Sequence, residues 1–435
     1  MNDRIYLENS FSCRFKGRTM GLRSILIYTH EFPPFKGGAG VYSHDLAVGL
    51  ISLGVEVHVL TPQPSVETGS TDLKDIHIHF LARTSTRIST QHALCCLQLK
   101  YRFDVILVTE RRAQEKFARM SKGLFSYATV LHGSEILIYF RDHATKLPVL
   151  RDRMIAYYKE AIGCIAVSKA TAALTRRVFP GQLRCTVVPN GIDTSRLLDA
   201  DPDDVKSLRQ SRPPDSRIIF CLARLDLDKG HDILIRAFAL VRHVYTRAYL
   251  VIGGMGPYRA ALEELCVELQ LESCVDFVGE VPSSMLPAYF TLCDVFALTS
   301  KCERRWEGFG LVYLEAGYYG KPVIGGHEGG VPEAIAHLES GLLVNPRDSE
   351  AVAIGIIALL SDRDMAMEMG ARGRQRVLSY FNARRMAKDT LEYLETKVRI
   401  HENVGRFVNI KLWACRYLCA LILFVKGLPR LSDKV

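Results

Sequence analysis

The chain has 435 residues, 48% of them apolar and 24% charged, which is ordinary for a globular protein and long enough for two or three domains. Its net charge of +9, from 56 Lys and Arg against 47 Asp and Glu, favours anionic partners such as phosphates, nucleotides or an anionic membrane face. No basic cluster interleaved with aromatics occurs, so nucleic acid is not an expected partner, and no run reaches the roughly 18 apolar residues that span a bilayer.

In chain order, residues 1–20 are polar and lack the apolar core of a secretory signal. They are expected to be a disordered extension, and the protein is placed in the cytoplasm. Residues 24–29 form a short apolar strand, followed by a loop with Gly37, Gly38 and Gly40 and then a helix over 41–53. Strand, glycine loop and helix let backbone N–H groups approach a phosphate, with no side chain in the way. Further apolar strands are expected at 55–60, 76–81, 104–108, 128–131, 163–167 and 185–188, with helical stretches between them. That alternation predicts a parallel, doubly wound sheet covered on both faces, with ligands at the carboxyl ends of its strands. His132-Gly133-Ser134-Glu135 falls at such an end. Ser168 opens the next helix, as an N-cap or a ligand contact. Pro189-Asn190-Gly191-Ile192-Asp193 reads as a turn, and the polar stretch 199–216 as a domain junction.

The second half repeats the pattern. A strand over 217–222 leads into Arg224-Leu225-Asp226-Leu227-Asp228-Lys229-Gly230 and a helix over 231–244. Two cations five residues apart at a strand end suit a diphosphate, Arg as a two-pronged fork and Lys as a mobile point charge. The strand at 250–252 runs into Gly253-Gly254-Met255-Gly256, which abuts a nucleotide or makes a tight turn. Strands at 275–278 and 294–298 precede Trp306-Glu307-Gly308-Phe309-Gly310-Leu311, where a helix over 311–319 begins. Glu315 then lies about two turns beyond Glu307. The helix start offers free N–H groups to a phosphate, beside one carboxylate for sugar hydroxyls and a second for a ribose. Amphipathic helices are expected after Asp348 and over 380–398.

Glu307-x7-Glu315, followed by Gly320-Lys321-Pro322-Val323-Ile324 and Gly329-Gly330-Val331-Pro332-Glu333, resembles the retaining glycosyltransferases of family four over about residues 25–394. Pro189 to Asp193 and Arg224-x4-Lys229-Gly230 belong to the same pattern. The resemblance implies a GT-B architecture, with two Rossmann-like domains facing each other across a cleft. Residues 21–200 would take most of the acceptor, 201–380 the nucleotide sugar, and 381–435 would form a crossover helix and a basic apolar tail. It implies further that Gly37 and Gly38 lie near the donor diphosphate, that His132 hydrogen-bonds the donor sugar, and that Val281 borders the nucleobase. Gly253, Gly254, Gly308, Phe309, Gly310 and Leu311 would complete the donor site. Glu307 would orient the sugar, Glu315 the ribose, and Arg224 and Lys229 would stabilise the departing diphosphate without a metal, so Asp226-x-Asp228 is not read as a metal site. The sequence departs from the family just before Glu307, where Glu303, Arg304 and Arg305 cover the cleft or meet an anionic acceptor.

The tail over 409–425 is apolar, bears Lys411, Trp413 and Arg416, and is followed by Lys426 and Arg430. It either lies in a membrane interface or packs on the first domain. Twelve scattered cysteines without a Cys-x-x-Cys pair predict buried thiols in a reducing compartment. The expected activity is retaining transfer of a hexose, mannose first, from GDP-mannose or a UDP-hexose to a lipid-linked or oligosaccharide acceptor, peripherally on the inner face of the plasma membrane. Two other classes are a sugar-nucleotide epimerase of similar fold and an inactive membrane-associated scaffold, and the intact Arg224, Lys229, Glu307 and Glu315 argue against the second.

Overall fold

A computed structural model describes residues 21–34, 37–64, 75–120, 123–138, 148–401 and 408–425. The extension expected at 1–20 lies outside the described residues, as do Lys426 and Arg430. Two wholly parallel sheets organise the chain. The first comprises β1 (Ser24–Tyr28), β2 (Glu56–Pro62), β3 (Ile76–Leu81), β4 (Val105–Val108), β5 (Tyr127–Leu131), β6 (Gly163–Ala166) and β7 (Thr186–Val187), in the order β3-β2-β1-β4-β5-β6-β7. The second comprises β8 (Arg217–Leu222), β9 (Ala248–Gly253), β10 (Val275–Gly279), β11 (Val295–Leu298), β12 (Val323–Gly326) and β13 (Gly341–Val344), in the order β10-β9-β8-β11-β12-β13.

The central strands are apolar throughout because helices cover both faces. Every residue of β1, β4, β5 and β11 is buried. Alternate side chains feed two cores: Leu26, Tyr28, Ile106 and Val108 on one face, Ile25, Ile27, Val105 and Leu107 on the other. Strand order reverses between β1 and β4 and again between β8 and β11, and at such reversals adjacent loops part to leave a crevice at the strand ends.

Three details differ from the sequence reading. The stretch expected as a plain junction contains a helix, Pro202–Gln210, with Asp201 accepting the Asp203 N–H and proline in its first turn. A helix at Arg363–Ser379 was not anticipated. Its Gly370 and Gly373 lie against Gly320 and Gly317, and a Cβ on Gly370 would collide with the Gly320 carbonyl oxygen, so glycines that read as breakers are packing residues here. The helix expected over 380–398 starts at Ala383, after a break at 380–382 where Ile192 donates to the Phe381 carbonyl at 2.9 Å and Ala383 donates to the Ile192 carbonyl at 2.9 Å.

That crossover helix, Ala383–His401, sends Met386, Ala387 and Leu394 into the core that holds Ile25, Ile27, Val105 and Leu107. The tail forms one helix, Val408–Val425, on the flanking helix Arg87–Tyr101. Leu412 packs with Cys95 and Leu124, and the Gln91 amide donates to Cys415 Sγ at 2.9 Å. The opposite face, with Trp413, Tyr417, Leu418 and Leu421, is exposed, so the tail both packs on the first domain and presents an apolar surface. None of the described helices is long and apolar enough to cross a membrane. The eleven described cysteines are free thiols, most of them buried.

Candidate active site

The loop after β8 carries the two predicted cations. Arg224 is more than half exposed, and its Nε donates to Asp226 at 2.9 Å. Arg305 reaches the same carboxylate at 3.2 Å. Lys229 ends a short 3-10 turn, and its Nζ lies 2.6 Å from Glu307 Oε2. The predicted lysine and the first predicted carboxylate are therefore in direct contact.

The loop after β11 is laced to this one. Lys301 donates its N–H to the Asp228 carbonyl at 2.7 Å, and Arg304 N–H donates to the Asp228 carboxylate at 2.8 Å. The Thr299 hydroxyl donates to the Gly230 carbonyl at 2.8 Å, and Gly230, at φ 68°, sits so close to Thr299 that a Cβ would collide with its carbonyl oxygen. Glu303, Arg304 and Arg305 were expected to cover the cleft or meet an acceptor. Arg305 pairs with Asp226, and Glu303 lies 3.4 Å from Arg347.

Gly310, at φ 87°, opens the helix Leu311–Tyr318, a conformation that favours glycine. Leu311 packs against cores of both domains. The Phe309 ring is buried against Phe381 in the core of the second domain. Glu315 is held by Arg196 Nη2 at 2.7 Å, and Arg196 Nε also lies 3.1 Å from Asp45 on the first helix, Gly38–Ile51. Burial alone would lower the Arg196 pKa, but the two carboxylates together raise it. Sequence reasoning missed Arg196. Its one signal was its place three residues beyond the Asp193 turn.

Gly254, at φ 130°, lies against the Ala223 carbonyl, where a Cβ would collide, and donates to Gly279 at 2.6 Å. Gly253 faces Val281, whose Cγ2 would be 2.8 Å from an added Cβ. Gly254 and Gly256, which lie against the Ala223 and Leu225 carbonyl oxygens, let the β9 loop press on the loop that carries Arg224.

Across the cleft, His132 follows β5. Its Nε2 lies 2.9 Å from the Thr109 carbonyl, and since a carbonyl only accepts, Nε2 carries the proton. Glu135 accepts the N–H groups of His132 and Gly133 at 2.6 and 3.0 Å, a structural role. Gly37 makes room for Glu31, whose carboxylate would be 2.5 Å from a Cβ, whereas Gly38 has open space in front of it. Ser168 is an N-cap, accepting the Thr171 N–H at 3.0 Å.

Two further links join the domains here. Trp306 donates from Nε1 to Thr171 at 3.1 Å and from its backbone to Ser134 at 3.1 Å, with its indole stacked over Gly133 so tightly that a Cβ would collide. Glu333 accepts the Lys169 and Ala170 N–H groups at 2.9 and 3.1 Å, at the positive end of the helix Lys169–Val178. Gly308 lies under His132, whose carbonyl oxygen would be 2.5 Å from a Cβ. Lys229, Glu307, Gly308, Gly310 and His132 thus converge on one crevice, with Arg224 beside it.

The family profile described as Glycosyl transferases group 1 matches residues 204–376, and that described as Glycosyltransferase Family 4 matches residues 36–196. A GDP-mannose-dependent alpha-(1-6)-phosphatidylinositol monomannoside mannosyltransferase of Mycobacterium tuberculosis is 30% identical over 385 residues, 85% of this chain and 97% of that protein. The chain belongs to glycosyltransferase family 4. A GDP-mannose-dependent monoacylated alpha-(1-6)-phosphatidylinositol monomannoside mannosyltransferase of Corynebacterium glutamicum is similar at 25% identity, over 87% of this chain and 99% of that one. In three dimensions this glycosyltransferase is similar to sucrose-phosphate synthase from Thermosynechococcus elongatus, with a TM-score of 0.71 at 23% identity over 86% of this chain and 98% of that one. Its two facing Rossmann-like domains are the GT-B fold.

Proposed function

We propose that this glycosyltransferase moves mannose from GDP-mannose to a mannosylated, lipid-anchored acceptor, with retention at the anomeric carbon and no bound metal. The observation that carries the reading is the 2.6 Å contact between Lys229 and Glu307, with Arg224 on the same loop, at the strand-order reversal of the second sheet. Guanidinium, ammonium and the free N–H groups opening the Leu311–Tyr318 helix offer fixed positive charge to a leaving diphosphate. When a donor binds, Lys229 turns to phosphate and Glu307 is released to accept from the sugar hydroxyls. Arg196 occupies Oε1 of Glu315, so its second oxygen serves the ribose. The bond from the anomeric carbon to the diphosphate oxygen breaks with its electron pair. The acceptor oxygen bonds from the same face, and its proton passes to the leaving phosphate. GDP, mannose and the lipid anchor are favoured by the two curated relatives, both named for that donor and for phosphatidylinositol mannosides.

The test is incubation of the purified enzyme and a chelator with labelled GDP-mannose or UDP-glucose, with and without phosphatidylinositol monomannoside. Expected is a mannolipid from GDP-mannose alone, of retained configuration. Formation of a new sugar-nucleotide stereoisomer without acceptor would establish the epimerase instead.

A lipid acceptor requires the enzyme to reach a bilayer. On the tail helix Trp413, Tyr417 and Leu421 form an i, i+4, i+8 stripe beside exposed Lys411 and Arg416, which suits an anionic lipid interface. Replacing Trp413 and Leu421 with glutamate leaves the buried Leu412 and Leu423 in place. This variant is expected to sediment with anionic vesicles at least tenfold more weakly, and unchanged binding would remove the membrane role.

A further inference from the structure

A second cluster of chemistry lies far from the cleft. Glu56 opens β2, and His58, His77 and His79 stand near the starts of β2 and β3, at the end of the sheet opposite the strand ends that form the site. Alternation puts all four on one face. The same face carries Leu60 and Leu81 further along these strands, in a core with Leu94 and Leu97. His58 and His79 thus occupy positions where the pattern calls for aliphatic residues, and both are buried.

Burying imidazoles is unfavourable unless their nitrogens are satisfied. Here they are joined in a chain. His58 Nε2 lies 2.9 Å from Glu56 Oε1, and His58 Nδ1 lies 2.8 Å from His79 Nε2. His77, directly across from His58 in the parallel register, stacks on it with ring centroids 4.6 Å apart, while His79 stacks at 5.2 Å. Burial, with smaller effects from His58, His77 and Lys100, pushes the His79 pKa down to about 4, and burial lowers that of His58 as well.

We propose that Glu56, His58 and His77 bind a divalent transition metal of the zinc class, with His79 orienting His58 from behind. One ligand atom from each lies within 4.8 Å of the others. Bonds of about 2.0–2.1 Å in a tetrahedral zinc site place ligand atoms about 3.3 Å apart, so closing the set needs only side-chain adjustments of about 1 Å. Water takes the fourth position, because Glu56 and His77 are exposed. The proton inventory balances without release. Without metal, Glu56 accepts from His58 Nε2–H, and His79 Nε2–H donates to His58 Nδ1. With metal, both rings change tautomer: His58 gives its Nε2 lone pair to the ion and donates from Nδ1 to His79 Nε2, the usual arrangement behind a metal-bound histidine. The site ties the outermost pair of strands together and touches no residue of the cleft, so its role is structural.

Metal-stripped full-length enzyme is titrated with Co2+ and then Zn2+. Expected are one equivalent of Co2+ with tetrahedral visible absorption, its displacement by Zn2+, and a rise in melting temperature with Zn2+. Glu56→Gln and His77→Gln, both at exposed positions, are expected to weaken Co2+ binding at least tenfold while mannosyl or other glycosyl transfer is unchanged. Absence of a Co2+ spectrum in the wild type would show histidines that serve packing alone. An unaltered spectrum in His77→Gln would put the ion elsewhere, for example at His44, Asp45 and Asp193. Either result overturns the proposal.

Discussion

Arg224→Ala is expected to lower turnover by about a hundredfold or more, the usual cost of removing one fixed donor to a developing negative charge, while the melting temperature stays nearly the same. The side chain is 57% exposed, and its described partner is Asp226, which keeps its second cation, Arg305. Loss of an exposed ion pair of this kind typically changes stability by less than about 1 kcal/mol. Arg224→Lys keeps the charge and loses the two-pronged geometry, so it should fall between the two. Steady-state kinetics beside thermal melting separate the effects. Near-normal turnover in Arg224→Ala would remove Arg224 from the diphosphate site.

Gly254→Ala is expected to act in the opposite sense, through the fold. The residue has φ 130°, and the new methyl group would collide with the Ala223 carbonyl oxygen, a backbone atom that cannot rotate away. Backbone strain and a forced loop shift together should cost about 3–5 kcal/mol, which for a domain of this size lowers the melting temperature by about 10 °C. Because Ala223 adjoins Arg224, the same shift displaces the cation, and turnover should fall with stability. Gly38 is the internal control: nothing lies within 4 Å of an added Cβ, so Gly38→Ala should melt like the wild type. Equal melting of Gly254→Ala and the wild type would contradict the packing described for the β9 loop.

Much of this architecture was legible in the sequence because its signals are local. Strands such as β1, β4 and β11 are unbroken apolar runs bounded by polar loops, and helix 231–244 ends where its apolar period ends. The Arg224 to Lys229 and Glu307 to Glu315 spacings each fit within one loop and helix start, so their convergence needed only strand order. What escaped was pairing over long separations. Arg196 meets Asp45 and Glu315 at separations of 151 and 119 residues, and no periodicity announces that. Phe309 sits in a motif that suggests a donor contact, yet the turn at Gly310 sends its ring into the core. The helix Arg363–Ser379 was hidden by glycines whose purpose is close helix packing. The histidines of β2 and β3 carry no local signal, and only the register sets His58 beside His77.

The half-buried indole of Trp306 packs against one domain, while the very next residue supplies the acid that touches Lys229 in the other. Any parting of the two halves must therefore either pull that ring from its socket or carry the acid away from its lysine. The seam between the two halves and the placing of the acid are thus set by adjacent residues of one short segment, so a change that unseats Trp306 also bears on where Glu307 stands.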